Sequence, residues 1–163
     1  MKTFKDLFLH FLQDMYFAEQ SILKVLPDLV EAADNGKLKQ SLADHIGETK
    51  DQIARLEKTF AALGEPAEGV TCEAILGLLQ ETDDILKETG KPGPLQDAAI
   101  IACAQAIEHY EIARFMTLTA WANSTQMGEA APQLQRALNV ERAKNAKLNE
   151  LAWAEVYENA VMV

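Results

Sequence analysis

Glutamates interrupt helical faces that are otherwise apolar. In the stretch AIEHYEIARF, residues 106–115, Glu108 and Glu111 sit among apolar side chains. Taken at alternating steps of three and four, the face Ile100, Ala104, Ile107, Glu111, Phe115, Leu118 is apolar except at Glu111. An upstream face reads Phe8, Leu12, Met15, Glu19, Ile22, Leu26, Leu29, Ala33, again with one acid at its middle. A third, Leu134, Leu138, Glu141, Asn145, Leu148, Ala152, has two consecutive polar members. The fourth runs Leu38, Leu42, His45, Thr49, Gln52, Leu56, Phe60, Leu63, with Glu48 flanking it one turn from both His45 and Gln52.

Acids on such faces have two readings. They are solvated at a rim, or they converge inside. A buried, unpaired carboxylate costs several kcal/mol or takes up a proton, and converging carboxylates also repel one another. A multivalent cation removes both penalties, and carboxylate oxygens with an imidazole suit Fe or Mn. The candidate ligands are therefore Glu19, His45, Glu48, Glu108, Glu111 and Glu141. Glu108, one turn from Glu111, is either a further ligand or a rim acid. Around them Gln52, Asn145, Tyr16 and Tyr110 are candidates to hydrogen-bond the ligands, the two tyrosines having core packing as their alternative. His109 is expected to point away from Glu111, and His10 to lie at the surface.

Four long helices must position these groups. Thr3 and Asp6 form a capping-box pattern at the start of the first helix, about residues 3–34, with Pro27 inside it. The second spans about 38–63 and ends at Gly64. A shorter helix covers about 72–88. The fourth runs about 94–126 with Pro94 in its first turn, and the fifth about 130–160 with Pro132 in its first turn. Glu19 lies 17 residues before Gly36 and Glu111 lies 17 before Gly128; Glu48 lies 12 after Gly36 and Glu141 lies 13 after Gly128. The two hairpins thus share one layout. Two antiparallel hairpins joined by a long crossover make an all-α, ferritin-like four-helix bundle, with the short helix on the crossover. Di-metal bundles of this class use one Glu from each of two helices and Glu-x-x-His from the other two. This chain departs from that pattern: three residues after Glu48 and Glu141 stand Asp51 and Lys144. One or two metal ions are therefore both open.

The small-residue face of the fourth helix, Ala99, Ala102, Cys103, Ala106, Ala113 and Ala120, packs on a neighbouring helix of the same chain or on a second subunit.

Composition narrows the function. At 163 residues, 48% hydrophobic and 25% charged, the chain is expected to form one globular domain, 1–163. A net charge of −10 without a Lys/Arg cluster disfavours nucleic acid and anionic membranes. No apolar run approaches the roughly 18 residues of a membrane span. Two distant cysteines, Cys72 and Cys103, fit reduced thiols in a cytoplasmic protein. With no glycine-rich phosphate loop and no nucleophile elbow, phosphoryl and acyl transfer have no support.

The stretches YFAEQSILKVLPDLVEAA, HIGETKDQIARLEKTFAALG and AIEHYEIARFMTL resemble the YciE/YciF family of bacterial stress-associated, ferritin-like proteins. The resemblance spans nearly the whole chain. It implies a rubrerythrin-like bundle, often dimeric, with a candidate di-metal site at Glu19, His45, Glu48, Glu108, Glu111 and Glu141, and with Gln52 in the motif. The family pattern carries an aspartate where this chain has Asn145. Two functions follow as expectations. The first is a metal-binding stress protein, Fe or Mn, acting on iron or peroxide with an oxidase- or peroxidase-like reaction as its enzymatic form. The second is a metal-free dimeric helical structural or interaction protein.

Overall fold

The computed structural model describes residues 1–125 and 127–163. Its elements are α1 (Phe4–Ala32), α2 (Gly36–Leu63), α3 (Glu73–Thr89), α4 (Pro94–Ser124), α5 (Ala130–Leu151), one π-helical turn (Ala152–Val156) and α6 (Tyr157–Val161). No strand occurs among the described residues.

Local chemistry explains the boundaries. Thr3 and Asp6 close a reciprocal capping box, each side chain accepting from the other's backbone N–H, at 3.1 and 3.0 Å. Asn35 caps α2 by accepting from Lys37 and Leu38. Gly64 ends α2 at φ +69°, a left-handed conformation that costs glycine nothing. Pro94 opens α4, and α1 continues through Pro27 to Ala32. The fifth segment differs from the expected single helix: α5 stops at Leu151 and the chain passes through the π turn into α6. The expected end of the fourth helix at 126 falls on a residue outside the described ones.

Helices α1 and α2 pack together, as do α4 and α5; α1 also packs on α4, and α2 on α5. The bundle order around the axis is therefore α1, α2, α5, α4, the ferritin-like arrangement. On the crossover, α3 lies against α4 and α1. One polar contact pins the halves together. Asp97, at the start of α4, accepts from the backbone N–H groups of Asp34 and Asn35 in the α1–α2 turn, at 2.7 and 2.9 Å.

The apolar core comes in two pieces. One contains Phe8, Leu12, Met15, Leu56, Phe60, Phe115, Leu118, Leu134 and Leu138. The other contains Ile22, Leu26, Leu29, Leu38, Leu42, Ile75, Ile100, Ile107 and Leu148. On every long helix the break between the pieces falls at the polar positions: Glu19 on α1, His45 to Gln52 on α2, Glu108 and Glu111 on α4, Glu141 and Lys144 on α5. A polar layer thus cuts the core at mid-height. The small-residue face of α4, for which packing within the chain and a subunit contact are both open, is buried at Cys103 but exposed at Ala102, Ala106, Ala113 and Ala120.

Candidate metal centre

Each helix brings a different side chain to the layer because the faces step past one another at the same level. Glu19, Glu108, Glu111 and Glu141 are all 0% exposed. Two three-residue groups have ligand atoms within 4.8 Å of one another: Glu19, Glu111 and Glu141, and His45, Glu108 and Glu111. Glu111 belongs to both and stands between them. Either group could hold a metal ion as far as ligand spacing goes. No N–H or O–H donates to either oxygen of Glu19 or Glu111, and Glu108 has only the longer contacts of its Oε1 to Lys144 and His45, at 3.4 and 3.5 Å. Buried oxygens normally find a donor, so these carboxylates in one layer are an anomaly.

The opening pair of acids on α4 is therefore equivalent in burial. Glu108 is no rim acid; it faces His45, with Oε1 3.5 Å from Nε2. Glu48 is placed differently. It is half-buried at the mouth of a cavity of about 270 Å³ that reaches His45, Glu108 and Lys144, and it joins neither group. The tyrosines also turn elsewhere: Tyr16 donates to Glu57 at 3.0 Å, and the Tyr110 hydroxyl sits 2.9 Å from the Cys72 sulfur. His109 is exposed and bonds the Gln105 carbonyl. His10 lies half-buried, 3.9 Å from Asp14.

Gln52 has a defined role. Its Nε2 donates to Glu141 Oε1 and to the Ala137 carbonyl at 3.1 Å, while its own Oε1 accepts from Arg55 at 2.9 Å. This chain of bonds fixes the Glu141 carboxylate from α2. Asn145 is only half-buried, and its Oδ1 has no partner.

Lys144 is the group that sequence reasoning passed over. In the sequence it is the residue three after Glu141, where the di-metal pattern has an imidazole, and a lysine there reads only as a missing ligand. In the fold it is buried. Its Nζ donates to His45 Nε2 at 2.7 Å, lies 3.4 Å from Glu108 Oε1 and pairs with Glu141 Oε2.

Electrostatics follow from burial and from this one cation. Burial, then the charges of Glu111 and Glu141, push Glu19 well above the carboxylate range. Burial and the Glu111 charge push Glu108 up to about 10. Burial and the Glu141 charge push Glu111 up to about 8. His45 is held down at about 3 by burial and by the Lys144 charge, so it is neutral. Burial alone would lower the Lys144 pKa; the carboxylates of Glu111, Glu141, Glu108 and Glu19 outweigh it and hold the ammonium above its ordinary value. Without a metal, protons must take the cation's place on the carboxylates.

The donor sets can be tested against a metal. Glu19 and Glu111 offer hard oxygen donors with free lone pairs, and Glu141 adds a carboxylate oriented by Gln52 and Lys144, a donor set that suits Fe or Mn. The His45 group fits less well, since Lys144 occupies the imidazole nitrogen that would ligate.

Known relatives agree with the fold. The chain is similar to Protein YciF of Escherichia coli, with 37% identity over 161 residues, 98% of this chain and 96% of the relative. The crystal structure of that stress protein superposes with a TM-score of 0.88, covering 93% of this chain and 96% of its own. YcfI, a candidate structural protein of Rhodopseudomonas palustris, is 47% identical with a TM-score of 0.88, covering 91% and 94%. A Xanthomonas campestris protein at 20% identity, with a TM-score of 0.72 over 94% and 92% of the two chains, shares the fold. Residues 3–161 match the family described as a domain of unknown function, DUF892, and the chain belongs to that family.

Proposed function

We propose that this protein is a YciF-like stress protein that binds a redox-active or hard multivalent cation, Fe or Mn, in the carboxylate layer at the centre of its bundle. The observation that supports this best is the set of orphaned oxygens on Glu19 and Glu111, buried beside Glu141. A metal there would displace the protons these acids hold and satisfy their lone pairs together. Bound Fe or Mn would supply Lewis acidity and one-electron chemistry toward oxygen or peroxide. The chain's own part is to bind, orient and exclude water. Glu19, Glu111 and Glu141 bind; Gln52, held by Arg55, orients Glu141; the two apolar clusters keep the layer dry from above and below. The cavity at His45 and Glu48 meets the layer at Glu108 and Lys144, and it is the side from which a small oxidant or an ion would approach.

The test is metal analysis of the purified protein with Fe and Mn titration. Binding with a rise in melting temperature is the expected result; no binding and no change in melting would overturn the reading. The competing function is a metal-free structural or interaction protein, and Lys144 favours it, because a built-in ammonium already offsets part of the acid charge. The same titration separates the two.

The exposed small-residue face of α4, Ala102, Ala106, Ala113 and Ala120, is where a homodimer would pair. Light scattering on the native chain and on Ala106→Arg tests that: a dimer that becomes monomeric is expected. No helix among the described residues is long and apolar enough to cross a membrane, and the buried free thiols Cys72 and Cys103 fit a reducing cytoplasm.

A further inference from the structure

We propose that the Lys144 ammonium stands in for one of two metal ions, so that this chain takes a single multivalent cation at Glu19, Glu111 and Glu141 and none at His45. The metal-binding half of this statement rests on the function proposed above; the lysine half has its own readouts.

Position is the first argument. Lys144 lies three residues after Glu141, so both side chains leave the same face of α5. From there Nζ meets groups of three helices: His45 on α2, Glu108 on α4 and Glu141 on α5. A cation serving the His45 group would have to touch the same atoms. The Nε2 of His45 and the Oε1 of Glu108 are 3.5 Å apart, and the ammonium nitrogen lies against both.

Lone-pair accounting is the second. A lysine ammonium only donates hydrogen bonds. Its 2.7 Å bond therefore uses the single lone pair on His45 Nε2, the one a metal would need. Glu19 and Glu111 are in the opposite condition, with no N–H or O–H donating to any of their oxygens. The nitrogen donor of the His45 group is thus engaged, whereas two of the three carboxylates of the Glu19 group are open and the third, Glu141, is held in place by Gln52 and Lys144.

Charge is the third. Metal ligands must be deprotonated, so a core loaded at both groups holds four carboxylates, Glu19, Glu108, Glu111 and Glu141. Two divalent ions would balance them alone. Two divalent ions with a buried ammonium would leave an excess of positive charge in a dry site. One divalent ion with the ammonium balances the three ligand carboxylates Glu19, Glu111 and Glu141, with Glu108 a neutral acid beside them.

The experiment uses the full-length chain and Mn(II) as probe. Wild type, Lys144→Met and Lys144→Arg are stripped with EDTA, equilibrated with excess Mn(II), freed of unbound ion, and counted for metal per chain. One Mn in wild type and in Lys144→Arg, and two in Lys144→Met, is the expected result. In EDTA, Lys144→Met should melt about 5–15 °C below wild type, since the buried acids lose their partner, and Mn(II) should restore it. Pulsed EPR of Mn-loaded wild type is expected to show no nitrogen bound to the metal, a readout that stands even if Lys144→Met does not fold. Two ions in wild type, equal stoichiometry in wild type and Lys144→Met, or a nitrogen coupling in wild type would overturn the proposal. Zero ions in wild type with binding in Lys144→Met would overturn the metal function of this chain and keep the lysine as its counter-ion. No binding in either would overturn both.

Discussion

Lys144 and His45, 99 residues apart in sequence, share a 2.7 Å hydrogen bond at the centre of the bundle, with the imidazole as acceptor. The contact engages the imidazole Nε2 of a histidine that burial and the Lys144 charge keep neutral, and it places a positive charge among four buried acids.

Glu111 belongs to both candidate ligand groups, whereas Glu48 belongs to neither. Glu111→Gln should therefore weaken Mn(II) or Fe(II) binding by much more than Glu48→Gln. At least a tenfold loss is expected for the first and less than about threefold for the second. Isothermal titration of the two variants measures the difference, and equal losses would place the ligands elsewhere.

Gln52 touches the layer only through Glu141. Replacing it with Leu removes the donor that fixes that carboxylate and leaves Arg55 without its acceptor. An outer partner of this kind is worth roughly 10–100-fold in metal affinity. Gln52→Leu should fall in that range, and Gln52→Glu should not restore the affinity, because a carboxylate cannot donate to another carboxylate.

Stability of the metal-free protein should depend on pH in a set direction. The folded chain keeps protons on Glu111 up to about pH 8 and on Glu108 up to about pH 10, while the unfolded chain releases them near 4.5. Between those limits the native state binds more protons, so stability falls as pH rises. In EDTA the melting temperature should drop steadily from pH 6 to pH 9. Saturating metal should flatten that slope, since ligation replaces the protons. A melting temperature that rises over the same range in EDTA would contradict the buried-acid description.

Asp97 ties the first turn of α4 to the α1–α2 turn through two backbone N–H groups. Asp97→Ala leaves both donors without their acceptor. Each orphaned donor costs about 1–3 kcal/mol, which denaturant titration can detect. Metal stoichiometry should not change, because the contact lies at the end of the bundle. For comparison, Phe115→Ala in the core beside the layer should cost about 3–5 kcal/mol.

The bundle was legible because its signals are local. Helix caps at Thr3 and Asn35, the left-handed stop at Gly64 and the Pro94 start each act within one turn of chain. The apolar faces repeat at helical spacing, so a glutamate inside one, as at Glu19 or Glu111, shows in the letters alone. The same periodicity failed at α5. Asn145 lies on the spacing, yet Lys144, one position away, is the buried residue. A lysine beside a seam reads as a solvated charge, and only the four acids arriving from other helices make its burial favourable.

By itself the sequence determined the helices, their pairing into two hairpins and the level at which acids enter the core. Tertiary structure decided which of those acids meet. It separated Glu48 from the layer, turned Tyr16 and Tyr110 toward Glu57 and Cys72, raised Glu108 to the standing of Glu111, and joined Lys144 to His45. The reason is physical: helix formation and capping depend on neighbours a few residues away, whereas the charge state and partners of a buried group depend on what three other helices bring within a few ångströms.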